Sequence, residues 1–417
     1  MNMTASKYQR SSIINYFVFG FTFLVVGISM ISVFFPALII DLTFDTIIDV
    51  DPFELGILFF PVLGINLTVL VFAILYWKGV FHKSIQNSIN FICKFEISSK
   101  ITLIIIVILL TGYIFLAVHD INIDESTQWE DFNNVKLAVE HFPDPTPKSG
   151  SINVVWVQNF LLLVSQEIFQ NFRIIPFIAS ISLLLTTYFL SVKISGKRFS
   201  GIISMVVLLQ SFNFQRYDTS ATYSSFWVLF YFLSLYFIYK KPFLSPISYV
   251  LSLFSKPIII AYLPISLFYT LQTKLPKRKK LIIIISYFAL FIVSIIVIVY
   301  VADFDSRIHK EFFNSADFWT GFTTLSFQLR YDIFIIAFLC PLIVGLLLIS
   351  RKGISEAQSL AFSISFILIL SPILSGFTSY EVQPYRYLPL IVFVSIGIGF
   401  LFNNKLPNST NNSENKS

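Results

Sequence analysis

The chain has 417 residues, of which 56% are hydrophobic and only 12% are charged. Soluble domains carry about 25% charged residues, so the composition excludes an ordinary soluble protein. The net charge of +6 does not indicate nucleic acid as a partner, because there is no soluble basic domain to bind it.

Apolar runs of about 18 or more residues recur along the sequence, and each can cross a bilayer core of about 30 Å. They predict an all-α polytopic membrane protein with about 12 transmembrane helices, and the mean hydropathy of +0.78 fits that class. The predicted spans are 14–40, 55–77, 101–118, 174–192, 199–213, 222–239, 243–254, 257–272, 281–302, 333–350, 358–375 and 387–402.

Two of these assignments depend on flanking charge and length. The first span follows Lys7 and Arg10 and is longer than the apolar core of a signal peptide, so we expect it to stay uncleaved. The pair 243–254 and 257–272 counts as two crossings because basic groups lie on both sides of it. A single crossing would put those groups on opposite faces of the membrane.

The distribution of charge predicts the orientation. With the N-terminus in the cytoplasm, 20 of the 29 Lys and Arg residues fall on the cytoplasmic side, which is the positive-inside bias. By contrast, 20 of the 23 acids fall outside or at outer helix ends. We therefore expect a multi-pass protein of the plasma membrane, with both termini cytoplasmic and an acidic outer surface.

Two further apolar segments are too short to span and are predicted to be helices in the membrane interface. One, at 151–172, lies in the first large outer loop and carries Trp156 as an anchor, and the other, at 79–95, faces the cytoplasm. The chain then divides into two spans with a cytoplasmic interfacial loop (1–100), a transmembrane module (101–402) and a disordered cytoplasmic tail (403–417).

The stretch HDINIDESTQWEDFNN (119–134) places five acids directly after the third predicted span. At a membrane surface, carboxylates can act as general bases, and Arg and Lys can bind phosphate. Aromatic side chains suit both sugar rings and the membrane interface. Residues of these types also occur in other outer segments: they include Arg216, Arg386 and the proposed substrate-loop residues Asp303, Asp305 and Trp319.

A structural interpretation of the same residues stays open. Acids in an outer loop are commonly just solvated, and Arg216 and Arg386 at helix ends can be snorkelling anchors. Lys256, between two short spans, can be a turn residue in water. The aromatic residues at 312–322 are of the kind that anchor helices at the interface.

No cofactor is expected from the sequence. The four histidines, His82, His119, His141 and His309, are scattered, and neither an HExxH nor a CxxC motif occurs. A zinc centre is therefore not expected, and no divalent metal is indicated. There is also no glycine-rich loop to bind the phosphates of a nucleotide.

The segment NFRIIPFIASISLLLTTYFLSVKISGKRFSGIISMVVLLQSFNFQRYDTSATYSSFWVLFYFLSLYFIYKK (171–241) resembles the GT-C glycosyltransferases, especially the protein-mannosyltransferase and aminoarabinose-transferase group. In that group an Arg-hydrophobic-Pro motif, here Arg173 to Pro176, opens a span that ends in a small basic turn. The paired short spans around Lys256 and the segment QPYRYLPLI near the end are also similar to the family. The resemblance covers residues 101–402.

The resemblance implies a transferase that moves a sugar from a polyprenyl-phosphate donor to a glycan, lipid or protein acceptor on the outer face of the membrane. It implies a catalytic acid in the first large outer loop, where Asp124 and Glu125 match and Asp120 is the rival by position. The residues then expected to bind the donor phosphate are Arg386, Lys256 and Arg216.

Two other classes of protein fit the composition. A transporter or lipid flippase would carry ionisable residues paired near the middle of the membrane, and the predicted spans are almost free of them. A non-catalytic membrane assembly protein would tolerate removal of the acids at 120–131. The sequence also differs from the transferase family, because the acidic loop follows the third predicted span here and the first span in the family.

Overall fold

The structure is a computed structural model, and it describes residues 2–41, 51–81, 83–143, 155–301, 312–377 and 383–403. All regular structure in these ranges is helical. The first nine helices are α1 (Asn2–Phe34), α2 (Pro36–Asp41), α3 (Phe59–Trp77), α4 (Lys83–Lys94), α5 (Ser99–Ile121), α6 (Phe132–Glu140), α7 (Trp156–Phe169), α8 (Ile174–Ser195) and α9 (Arg198–Leu209). The other nine are α10 (Phe212–Tyr217), α11 (Phe226–Lys240), α12 (Leu244–Ser255), α13 (Leu263–Gln272), α14 (Lys277–Val301), α15 (Ser315–Gln328), α16 (Ile333–Arg351), α17 (Ser355–Phe377) and α18 (Leu388–Phe400). Three short 3₁₀ helices occur at Glu125–Thr127, Pro257–Tyr262 and Pro384–Tyr387.

Among the described residues, seven helices are long and apolar enough to cross a membrane. The prediction of a polytopic helical membrane protein is confirmed at this level. Each of the twelve predicted spans coincides with helical structure, but five of them are apolar helices of only 10–17 residues. A helix of 12 residues is about 18 Å long, which is short for a hydrocarbon core of about 30 Å. The expected number of twelve crossings therefore goes beyond what helix length establishes.

The first predicted span, 14–40, is interrupted. The helix α1 ends at Phe34, and α2 starts afresh at Pro36. Proline disfavours the helical conformation in the residue before it, so the break at Phe35 follows from the sequence. The two predicted interfacial segments are both helical, as α4 and α7.

Exposed apolar faces distinguish the outer helices of the bundle from the inner ones. On α5, Phe115 is 82% exposed and Leu116 is 71% exposed. A contiguous apolar face of this kind is rare on a soluble monomer. In a membrane, contact with lipid chains would keep this face away from water. The inner helices, in contrast, pack closely: a side chain on Gly399 of α18 would lie 2.4 Å from the carbonyl oxygen of Ser200 on α9.

The helices run between two ends of the bundle, which the contacts define. At one end α5 finishes and α8 begins, and Arg173 donates a hydrogen bond to the backbone oxygen of Asp120 at 2.6 Å. At the other end α5 and α9 begin, and the backbone N–H of Arg198 donates to Glu96 at 3.0 Å. We call these the site end and the opposite end.

Candidate functional site

The acidic loop after α5 is fastened to the segment between α10 and α11 by Glu125. This side chain is only 2% exposed. Its carboxylate accepts hydrogen bonds from the Ser220 hydroxyl at 2.7 Å and from the backbone N–H groups of Ala221 and Thr222, each at 2.9 Å. Because its oxygens are occupied by these donors, Glu125 is placed to hold the loop rather than to receive a proton from an acceptor.

A buried arginine completes this anchor. The Nε of Arg173 lies 3.6 Å from Glu125 Oε2, and both side chains are almost fully buried. The same guanidinium donates to the Gln128 side chain at 2.5 Å as well as to the Asp120 backbone. Charged groups are buried in this way only when they are paired. The sequence singled out Arg173 as the start of a span, and its partner Glu125 could not be read from the same pattern.

Four aromatic side chains pack together beside this anchor, and we call Trp129, Tyr217, Tyr223 and Tyr385 the aromatic cluster. The ring centres of Tyr223 and Tyr385 are 4.6 Å apart and the rings are stacked. Trp129 meets Tyr223 edge-on at 5.0 Å, and Tyr217 meets Tyr385 edge-on at 5.9 Å. The cluster thus joins the acidic loop, the segment between α10 and α11, and the turn before α18.

All three cations predicted to bind phosphate contact this aromatic cluster. The Lys256 ammonium lies 4.0 Å from the centre of the Tyr385 ring. Arg386 Nε donates to the Tyr385 hydroxyl at 3.3 Å, and the Arg216 guanidinium lies 5.3 Å from the centre of the Trp129 ring. Positive charge next to the face of an aromatic ring is stabilised by the ring quadrupole. Residues that are 170 positions apart in the chain are thereby gathered at the site end.

Two of these cations favour the ionised form of one member of the aromatic cluster, Tyr385. Burial raises the pKa of the Tyr385 phenol, but Lys256 and Arg386 outweigh burial and lower that pKa to about 8. Burial lowers the pKa of the Lys256 ammonium, while Tyr385 and the Asp131 carboxylate oppose that shift. Asp131 also accepts a hydrogen bond from the Tyr223 hydroxyl at 2.9 Å. Asp131 is thus hydrogen-bonded to a member of the aromatic cluster.

Asp124, the acid that the resemblance favours, lies in a different environment. It is exposed and caps the short helix Glu125–Thr127 by accepting the Ser126 N–H at 3.0 Å. This hydrogen bond is the main reason that the pKa of Asp124 is lowered. The side chain lines a cavity of about 320 Å³ together with Lys136 and Arg173, and neither Lys256 nor Arg386 is among the lining residues. The two cations that line this cavity with Asp124 are therefore Lys136 and Arg173.

A buried carboxylate that the sequence did not single out as catalytic follows Tyr217 of the aromatic cluster in the chain. Asp218 is 4% exposed and accepts a hydrogen bond from the Tyr113 hydroxyl at 2.7 Å. Its second oxygen is buried without a hydrogen-bond partner. Burial raises the pKa of Asp218 to about 7, and the half-buried Asp120 adds to the rise. The signal in the sequence was an acid between two apolar helices, which alone does not distinguish a buried carboxyl group from a solvated one.

Of the proposed substrate-loop residues, the structure describes Trp319, which is not a member of the aromatic cluster. Trp319 lies on α15 and packs against Phe318 and Phe322, with ring centres 5.3 Å and 5.8 Å away. Asp303 and Asp305 lie outside the described residues. The helix α15 contacts the turn before α18 through Thr324, whose hydroxyl is 2.6 Å from the Tyr387 hydroxyl.

Within the ranges that the structure describes, no three His, Cys, Asp or Glu side chains come together in a way that could hold a metal ion. No protein-family model matches the chain, and comparisons with curated proteins and with solved structures give no match either.

Proposed function

We propose that the protein is a membrane glycosyltransferase, which moves a sugar from a polyprenyl-phosphate donor to a hydroxyl or amide acceptor at the site end of the bundle. The observation that carries this proposal is the gathering of Arg216, Lys256 and Arg386 around the aromatic cluster. Arg and Lys side chains favour a phosphate group, and the tyrosine and tryptophan faces favour a sugar ring.

In the proposed step the acceptor oxygen or nitrogen attacks the anomeric carbon of the sugar. The bond from that carbon to the phosphate oxygen breaks, and the lipid phosphate leaves with the bonding electrons. Lys256 and Arg386 stabilise the charge that develops on the leaving phosphate, which is the kind of interaction that is strongest in the transition state. The proton of the acceptor passes to a carboxylate acting as a general base.

Asp131 is the best placed base in this proposal. It is exposed, and it lies close enough to Lys256 to influence the pKa of that ammonium. Asp124 remains the alternative that the family resemblance supports. Glu125 and Arg173 then serve as positioning residues, since they hold the loop that carries both acids.

The test is a transfer assay with the full-length chain in lipid vesicles, using a labelled polyprenyl-phosphate hexose and measuring release of polyprenyl phosphate. We expect Lys256→Met and Arg386→Met each to reduce turnover by about a hundredfold, because each removes a charge that stabilises the leaving group. Arg330→Met is the matched control: Arg330 lies over the Phe327 and Tyr331 rings at 4.3 Å and 4.9 Å, outside the aromatic cluster.

The control should retain turnover within about twofold, since it leaves the leaving-group cations in place. The proposal is wrong if the wild-type chain neither binds nor consumes any polyprenyl-phosphate sugar. It is also wrong if the control variant loses as much turnover as the two cluster variants.

A further inference from the structure

A second cavity lies at the opposite end of the bundle, far from the chemistry proposed above. Its volume is about 810 Å³, and it opens where α16 ends and α17 begins, next to the first part of α1. The chain turns from α16 into α17 through Gly353, whose φ of +82° suits a residue without a side chain. Polar and aromatic residues share its lining: they include Asn15, Tyr16, Phe19, Arg351, Lys352 and Gln358.

Some polar groups of this cavity have no hydrogen-bonding or ionic partner among the described residues. Among the described residues, Arg351 and Lys352 form no ion pair with an acid. Gln358 is 93% buried (7% exposed) and lines the cavity, yet no described group hydrogen-bonds to its amide. The Oδ1 of Asn15 is likewise buried and unpaired. Buried polar groups are normally satisfied, so the N–H groups of the Gln358 amide point to a ligand oxygen, whereas Asn15 Oδ1, as an acceptor, points to a ligand hydroxyl.

The positive charge that lines the cavity favours an anionic ligand. Two cations line it, and the N-terminus of α17, which has 23 residues, adds the positive end of a helix dipole. The acid in the first turn of that helix, Glu356, is itself 7% exposed and is not among the lining residues. A phosphate group matches both the positive charge and the amide and guanidinium donors.

An apolar surface runs away from the cavity along α1 and α16. Phe19 and Phe23 stack on α1 with ring centres 6.2 Å apart, and they are 42% and 72% exposed. On α16, Val344 and Leu348 are 56% and 55% exposed. A ligand that occupies the cavity and also covers the apolar surface would have a phosphate headgroup and a hydrocarbon tail.

We infer that this cavity is a binding site for the phosphate headgroup of a lipid with net negative charge. The headgroup contacts Arg351, Lys352 and Gln358, and the acyl chains lie on the exposed faces of α1 and α16. The site is separate from the aromatic cluster and needs no glycosyl transfer.

The experiment uses the full-length chain in mild detergent. It measures the melting temperature by thermal unfolding and the retention of lipid by native mass spectrometry. The probes are short-chain phosphatidylglycerol, phosphatidylcholine of equal chain length, and inorganic phosphate. We expect phosphatidylglycerol to be retained and to raise the melting temperature, because it combines the phosphate, the net charge and the tail. Phosphatidylcholine, with no net charge, should be retained at least about tenfold less.

Arg351→Gln with Lys352→Gln should weaken phosphatidylglycerol binding by about tenfold or more. Lys240→Gln with Lys241→Gln removes the same charge at the same end of the bundle but away from the lining residues, so it should bind like wild type. Gln358→Leu is a second, charge-neutral variant that should also reduce retention. It keeps the assay informative if the double variant is unstable.

Equal retention of phosphatidylglycerol by the cavity variants and the lysine control would overturn the inference. So would equal retention of the two phospholipids. If inorganic phosphate protects the chain as well as phosphatidylglycerol does, the ligand is a free phosphate compound and the lipid assignment is wrong.

Discussion

The ammonium nitrogen of Lys256 lies 4.0 Å from the centre of the Tyr385 ring, at the meeting point of the turn after α12 and the turn before α18. The tyrosine in turn stacks on Tyr223, whose hydroxyl donates to Asp131. A cation, two tyrosines and a carboxylate thus form one connected path across the site end. The proposed phosphate and the proposed base sit at its two ends.

Removing the lysine should change the titration of the tyrosine. In Lys256→Met we expect the pKa of Tyr385 to rise from about 8 toward its ordinary value of about 10, because one of the two cations that favour the phenolate is gone. The measurement is the pH dependence of tyrosinate absorbance near neutral to alkaline pH. Tyr385→Phe identifies the transition, and Lys240→Met, next to Tyr236 at 5.7 Å, is the control. An unchanged transition in Lys256→Met would show that the lysine does not act on Tyr385.

Asp218 should make stability depend on pH. Its carboxyl group holds its proton up to about pH 7 in the folded chain but only to its ordinary value of 3.8 when exposed. Stability therefore falls as pH rises from about 4 to about 7, by about 4 kcal/mol in total. In Asp218→Asn this decline should largely disappear, which melting curves in detergent across that range will show. If the variant and wild type lose stability equally over this pH range, the loss comes from titratable groups other than Asp218.

The buried pair of Glu125 and Arg173 should control attachment of the acidic loop. Glu125→Gln leaves the Arg173 charge without a counter-ion, and breaking a buried pair in this way destabilises by about 3 kcal/mol. We expect faster proteolytic cleavage within residues 122–131 and a lower melting temperature. Glu130→Gln is the control, since Glu130 is exposed. Equal cleavage rates in the two variants would mean that Glu125 does not hold the loop.

Close packing of α15 against α17 gives a test of the fold itself. A side chain on Gly321 would come within 2.5 Å of the Pro372 backbone, whereas one on Gly112 of α5 would meet nothing within 4 Å. Gly321→Ala should therefore destabilise by about 1–3 kcal/mol through overpacking. Gly112→Ala should be neutral or slightly stabilising, because alanine favours helix. Thermal unfolding of the two variants in the same detergent compares them directly, and a Gly321→Ala variant as stable as wild type would contradict the packing.

The positions of the spans could be predicted from the sequence because apolar runs set them, and every predicted span coincides with a helix. The helices α6 and α15, which lie in predicted outer loops, were not predicted. The break between α1 and α2 followed from a single residue, Pro36, which disfavours helix in the residue before it. The sequence also marked Lys256 and Arg386 as outer cations at helix ends. Their shared contact with Tyr385 needed the tertiary fold.

The roles of the acids could not be predicted in the same way. Asp124 and Glu125 are neighbours in sequence, yet one is exposed and the other is enclosed by donors from residues 220–222. Hydropathy reports how apolar a stretch is, but not which carboxylate meets a partner 95 residues later. For the same reason the sequence did not single out Asp131 and Asp218 as catalytic among the outer acids.

We propose that the aromatic cluster, with its cations and Asp131, transfers a sugar from a lipid phosphate. The most direct measurement compares release of polyprenyl phosphate by wild type, Asp131→Asn and Asp124→Asn in the same vesicles. Loss of a general base lowers turnover by about 10²–10⁴, so we predict that loss for Asp131→Asn and near-normal turnover for Asp124→Asn. Full turnover by Asp131→Asn, with the loss falling on Asp124→Asn, would contradict the proposed site and move the chemistry to the cavity beside Lys136.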